Sequence, residues 1–121
     1  MKRRAFREIL SLATEDYCGL WEVRWRLQTI FPGIEDSTIR GLAADTVSEL
    51  FQRGWIGVFT GSNLGTNDVR PVTGDEAARV LREPASWDDP TDATKTLMIA
   101  ATAEGEAAYF SQRPIDTGGS N

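Results

Sequence analysis

The chain has 121 residues and no histidine. That absence removes Ser-His-Asp and Cys-His catalysis, imidazole metal ligation and a histidine pH switch. The one cysteine, Cys18, has no second thiol to pair with, which excludes an intrachain disulfide and a thiolate metal cluster. No apolar run approaches the roughly 20 residues needed to cross a bilayer. Met1-Lys2-Arg3-Arg4 has the basic start of a signal peptide. The apolar run that should follow is broken at once by Arg7 and Glu8, and Glu15-Asp16 come soon after. The expectation is a soluble cytoplasmic protein without membrane contact.

Hydrophobic residues make up 40% of the chain and charged residues 26%, which suits a globular domain and argues against global disorder. The length fits one domain. Thirteen basic side chains face eighteen acidic ones, a net charge of −5, so the whole molecule is not a basic nucleic-acid glove. The charge is uneven. Residues 1–60 carry eight basic and eight acidic side chains, whereas residues 61–121 carry five and ten. Such asymmetry permits a positive face on an acidic protein.

Apolar spacing predicts three helices first. Phe6, Ile9, Leu10 and Ala13 form one stripe over residues 3–14. Leu20, Val23, Leu27 and Ile30 form a second over 20–30, ended by Pro32-Gly33. Asp36 or Ser37 caps a third, with Ile39, Leu42, Val47 or Thr46, and Leu50 inward, Phe51 alongside and Gly54 as the stop. Trp55–Thr60 then reads as a strand, and Val69–Val72 as a short edge strand carrying Pro71. Thr73 and Glu76 match a capping box before a helix over 74–82, stopped by Pro84. Residues 84–94 read as a polar loop holding Trp87. Thr96–Ala101 is a strand, and Thr102 caps a last helix through Ser111. Residues 1–111 form the domain, and 112–121 a flexible tail.

From Leu20 to Phe59 this order resembles a winged helix-turn-helix domain: a helix, a Pro32-Gly33 turn, a second helix, then Gly54-Trp55-Ile56 entering a strand. Ala101-Thr102-Ala103-Glu104-Gly105 is similar to the Thr-x-x-Gly helix start that follows the wing in many bacterial regulators. The resemblance spans about residues 3–111. About 35 residues separate Thr60 from Thr96, and they include a helix, so the chain is similar to small uncharacterised bacterial winged-helix proteins with an elaborated wing. The fold it implies is α+β: a three-helix core, a small antiparallel sheet, a helix inserted in the wing and a C-terminal helix.

The resemblance implies a DNA-binding, regulator-like protein that contacts duplex DNA through the third helix. The residues on that helix's outward face are then Thr38, Arg40, Gly41, Ala44, Asp45, Ser48, Glu49 and Gln52. Arg40 is suited to a guanine or a phosphate, and Ser37 or Thr38 to a phosphate at the helix start. Ser48 lies on the same face. Asp45 and Glu49 have the wrong sign for a polyanion. Lys2, Arg3, Arg4, Arg7, Arg24, Arg26 and Arg70 are the other cations available to neutralise phosphates. A homodimer would present two third helices to a palindromic site. Candidate interface residues are Phe6, Leu10, Tyr109 and Phe110 on the terminal helices, and Trp21 and Trp25 on the second, beside Arg24 and Gln28. Packing in the core is the competing role for Trp21.

Other constellations have plainer explanations. Asp88, Asp89 and Asp92 do not have calcium-loop spacing and read as a solvated acidic loop. Glu104 and Glu106 suit the first turn of a helix. Gly61 to Thr66 has no lysine for a phosphate loop. Cys18 reads as small and buried. No metal, cofactor or enzymatic activity is expected. The alternative function is a protein-interaction module of the same fold that contacts no nucleic acid, favoured by the acidity of the chain, Asp45 and Glu49, and the enlarged wing.

Overall fold

A computed structural model describes residues 1–61, 69–91 and 96–118, with side chains described as far as Ser111. The architecture is α+β, with five helices and a four-stranded antiparallel sheet, compatible with a winged-helix-like fold. Helix α1 spans Lys2–Glu15, α2 Leu20–Ile30 and α3 Asp36–Gln52. Strands are β1 Cys18–Gly19, β2 Ile56–Gly61, β3 Arg70–Val72 and β4 Thr96–Ala101, in the order β1-β4-β2-β3. Helix α4, Gly74–Arg82, and a 3-10 turn, Pro84–Trp87, lie between β3 and β4. Helix α5 runs Ala103–Gly118, past the Ser111 boundary read from the sequence.

The apolar stripes meet in one core. Ala5, Ile9, Leu10 and Ala13 of α1 pack with Leu20, Val23 and Leu27 of α2 and Ile39, Ala43, Val47 and Leu50 of α3. Thr46 and Val47 are both buried, so the third stripe is wider than the pattern required. Ile56 and Val58 of β2 and Ile99 of β4 close the core from the sheet side. The sheet register pairs Ile56 with Ala101 and Gly61 with Thr96. Strand β1 was not read from the sequence, because two residues give no alternation to detect.

The end of α3 explains how a helix turns into a strand within three residues. Gly54 takes a positive φ of 77°. The Gly54 N–H donates to the Phe51 carbonyl at 3.0 Å, and the Trp55 N–H to the Leu50 carbonyl at 3.1 Å. This Schellman pattern satisfies the last orphan carbonyls of the helix. The same corner seats α5. Thr102 donates its N–H to the Trp55 carbonyl at 3.0 Å and its hydroxyl to the Gly54 carbonyl at 2.7 Å. The Thr102 Oγ1 in turn accepts the Gly105 N–H at 3.0 Å, the helix cap expected of it. The Thr73 cap is different: it starts α4 but makes no side-chain capping hydrogen bond, so the expected box does not close.

Gly105 is the tightest point of this corner. A Cβ there would lie 1.8 Å from the Trp55 carbonyl oxygen, against backbone that is itself hydrogen-bonded and cannot yield cheaply. Gly105→Ala should therefore destabilise the domain by about 1–3 kcal/mol, the usual range for forced overpacking. Helix propensity alone favours Ala over Gly by about 1 kcal/mol, so urea unfolding decides which effect wins. A variant as stable as the parent would contradict the close approach.

Candidate functional site

The outward face of α3 is the surface on which the sequence placed recognition, and it is partly covered: Ala44 and Ser48 are buried, whereas Thr38, Gly41, Asp45 and Gln52 stay exposed. Helix α4 packs on α3, and the 3-10 turn packs on α2. Ala44 and Ser48, expected at the surface, are 8% and 7% exposed. Gly41, Ala44 and Ser48 recur at helical spacing, so one side of α3 carries little side-chain bulk. That small-residue stripe is the sequence signal for a covering element, masked by reading the same positions as a solvated face.

Arg40, the principal candidate for reading a base, is engaged within the chain through two of its three nitrogens. Its Nε donates to Asp36 Oδ2 at 2.6 Å. Its Nη1 lies 2.7 Å from both the Pro84 carbonyl oxygen and Asp88 Oδ1. The guanidinium hydrogen bond holds the Asp36 carboxyl below the usual aspartate range, and the carboxylates raise the Arg40 pKa in return. Arg82 of α4 pairs with Asp45 of α3 at 2.6 Å, and Arg24 of α2 with Asp89 at 2.6 Å. Asp45 thus binds the cover. Asp88 and Asp89, read as a solvated acidic loop, are exposed as expected and are also ion-pair partners. Asp92 lies outside the described residues, as do residues 62–68 of the glycine-containing loop. Among the described residues, no group of three or more acidic or cysteine side chains is arranged to hold a metal ion.

Trp87 carries the cover. Read as part of a polar loop, it is instead 1% exposed, and its indole N–H donates to the Leu81 carbonyl at 3.1 Å. A buried aromatic removes about 150–250 Å² from water and dominates local energetics. The exposed ion pairs around it contribute about 0–1 kcal/mol each. A cleft of about 320 Å³ remains between α3 and its cover, lined by Ser37, Arg40, Gly41, Ala44, Arg82, Pro84 and Trp87.

The other candidate residues scatter. Ser37 and Thr38 are exposed at the start of α3, and Arg70 is exposed on β3. Leu10 is core, 3% exposed, and cannot belong to an interface. Phe6 is half-buried, edge-on to Trp55 at 5.8 Å. Trp21 is half-buried over Gly19, whose Cβ would meet its Nε1 at 2.6 Å, and it lines a hollow of about 420 Å³ with Asp88 and Asp89. Trp25 is 64% exposed on α2, and Phe110 is 56% exposed on α5. Tyr109 is half-buried and bonds Ser11 at 3.3 Å.

The cations at the start of α1 form a different group. Lys2 bonds Glu49 at 3.2 Å, and Arg53 bonds the same carboxylate at 2.9 Å; these contacts, Lys2 first, hold Glu49 below the usual range. The Arg53 guanidinium lies 5.3 Å from the Phe6 ring centre and 5.1 Å from that of Trp55, and Arg4 lies 5.7 Å from Phe31. Arg53 was not singled out in the sequence; its nearness to Lys2 is tertiary. No protein family, curated protein or solved structure matches the chain. Among the described residues, no helix is long and apolar enough to cross a membrane.

Two outcomes test this arrangement. Trp87→Ala should cost about 3–5 kcal/mol in urea unfolding, and Arg82→Ala at most about 1 kcal/mol. Equal effects would mean that ion pairs hold the cover. Cys18 gives the second. Burial first, then the Glu22 charge, pushes its thiol from 9.0 up to about 12. The folded state keeps the proton that the unfolded chain releases near pH 9. Stability from this group is complete below that pH and falls as pH rises toward 12. Iodoacetamide at pH 8 should leave the native thiol unmodified and alkylate it in urea. Rapid native modification would contradict the burial.

Proposed function

We propose that this chain is a winged-helix-like interaction module whose partner is a protein, and that α3 does not read DNA. The observation that carries the reading is the engagement of Arg40 on a partly covered α3 face. A recognition helix needs base-reading side chains that extend into a groove about 12 Å wide. Here the one candidate arginine is bound by two carboxylates and a carbonyl, and α4 with the 3-10 turn stands where the groove would lie. Freeing Arg40 would break three charge-assisted contacts before any is made to a base. The element order and the three helices backed by a sheet support the winged-helix-like part of the reading.

Duplex DNA is the second reading, favoured by one observation: Arg3, Arg4 and Arg7 are exposed on α1. They would give phosphate contacts without base readout.

The test is a titration of labelled random duplex with the native chain and with Arg40→Ala, at low and physiological ionic strength. The expected result is no specific duplex binding, and the same result for Arg40→Ala. Salt-sensitive binding that weakens in Arg40→Ala would defeat the proposal and restore the groove-reading role.

A further inference from the structure

We infer that the cationic end of the molecule, where the start of α1 meets the end of α3, docks a short acidic segment of the partner protein. This rests on the protein-partner reading above and names the chemistry of that partner. Five exposed cations lie at this end: Lys2, Arg3, Arg4 and Arg7 on the first two turns of α1, and Arg53 just beyond α3, which shares Glu49 with Lys2. Among the described residues, one carboxylate, Glu49, answers them, shared by Lys2 and Arg53. Glu8, on the same helix, is taken by Arg26 at 3.1 Å. The cluster therefore has a net charge of four positive. On a chain of formal charge −5, everything else carries nine more negative charges than positive ones.

The side chains are arranged as well as charged. Arg53 lies against both Phe6 and Trp55, which touch each other edge-on, and Arg4 lies over Phe31. A guanidinium on a ring face keeps its N–H edges available and has lost much of its rotamer freedom before a ligand arrives. Arg3 and Arg7 are four apart, hence on one side of α1, and both are exposed. Lys2, Arg3, Phe6, Glu49 and Arg53 bound a hollow of about 370 Å³. Three cations line it against one carboxylate, Glu49, and one side is an aromatic ring. That combination fits a carboxylate, which arginine grips with paired hydrogen bonds, next to an apolar side chain.

Length and charge decide between an acidic peptide and a nucleic acid. Lys2 to Arg7 rises only about 8 Å along the helix axis. A stiff duplex laid on so small a patch also faces the net negative remainder of the surface, which repels it. A short flexible segment engages the patch alone. Glu49, inside the hollow, opposes a continuous line of phosphates more than one carboxylate held between arginines.

The experiment is fluorescence anisotropy on the full chain. The probe is a short labelled peptide alternating Glu with Leu, with a control peptide carrying Gln for Glu. The Glu peptide should bind, more weakly as salt is added, and the Gln peptide should not. The double variant Arg3→Glu/Arg7→Glu should weaken binding at least about tenfold, whereas Arg40→Ala should leave it unchanged. Neither Arg3 nor Arg7 has a carboxylate partner among the described residues, so the double variant should keep its circular dichroism and unfolding midpoint. If the Glu peptide fails to bind, or binds the double variant equally, the inference falls and the protein-partner reading stands. If phosphatidylserine vesicles bind more tightly through the same arginines, the inference falls in favour of a lipid surface. Tighter binding of random duplex overturns both the inference and the reading beneath it.

Discussion

The burial of Trp87 is the constraint on which the surface of this molecule depends. Helix α4 has only nine residues, and its inward side is Ala77, Val80 and Leu81. So short a helix gains little from its own hydrogen bonds and persists through tertiary packing. Trp87 follows it, anchored by the Leu81 carbonyl and sunk into the core that α2 and α3 share. Once the indole is seated, Pro84 and Asp88 come to rest against Arg40, and Arg82 against Asp45. The ion pairs follow the tryptophan; they are too exposed to lead it.

The frame was legible in the sequence because it obeys local rules. Helix α2 begins and ends where its apolar stripe and Pro32-Gly33 put the limits, and α3 ends just before Gly54, which takes the positive φ that closes it. Strand β4 and the Thr102 cap are likewise local. The failures are tertiary. Trp87 sits in a stretch of Pro, Ser and Asp whose composition says loop, and nothing local says that the loop folds inward. Ser48 is polar and so reads as solvated, yet it is 7% exposed. Leu10 satisfies both a core stripe and an interface list, and only packing separates them.

The functional reading shifts for the same reason. Charge counted along the chain gives a neutral first half. Folding sorts that half into an α3 face whose arginine is cancelled and an α1 face whose arginines are not. Arg40 and Arg3 are the same residue type, equally plausible as phosphate contacts on paper. The difference is that Asp36 lies one helical turn from Arg40 and Asp88 arrives from the inserted segment. Residue type proposes a ligand, and the neighbours decide whether the residue is free to take it.

The borders of the sheet limit how any partner can be held. At β1 the outer amides are occupied from within: Asp16 Oδ1 accepts the Tyr17 N–H at 2.7 Å, and Glu22 Oε1 the Gly19 N–H at 2.9 Å. At the opposite border, β3 has three residues, and Pro71 among them has no amide hydrogen. Among the described residues, neither border offers a row of donors on which a foreign strand could register. Recognition by strand addition, and the runaway stacking that follows when such borders are left open, are both disfavoured. The described surface that remains for recognition is that of side chains, those projecting from the helices among them.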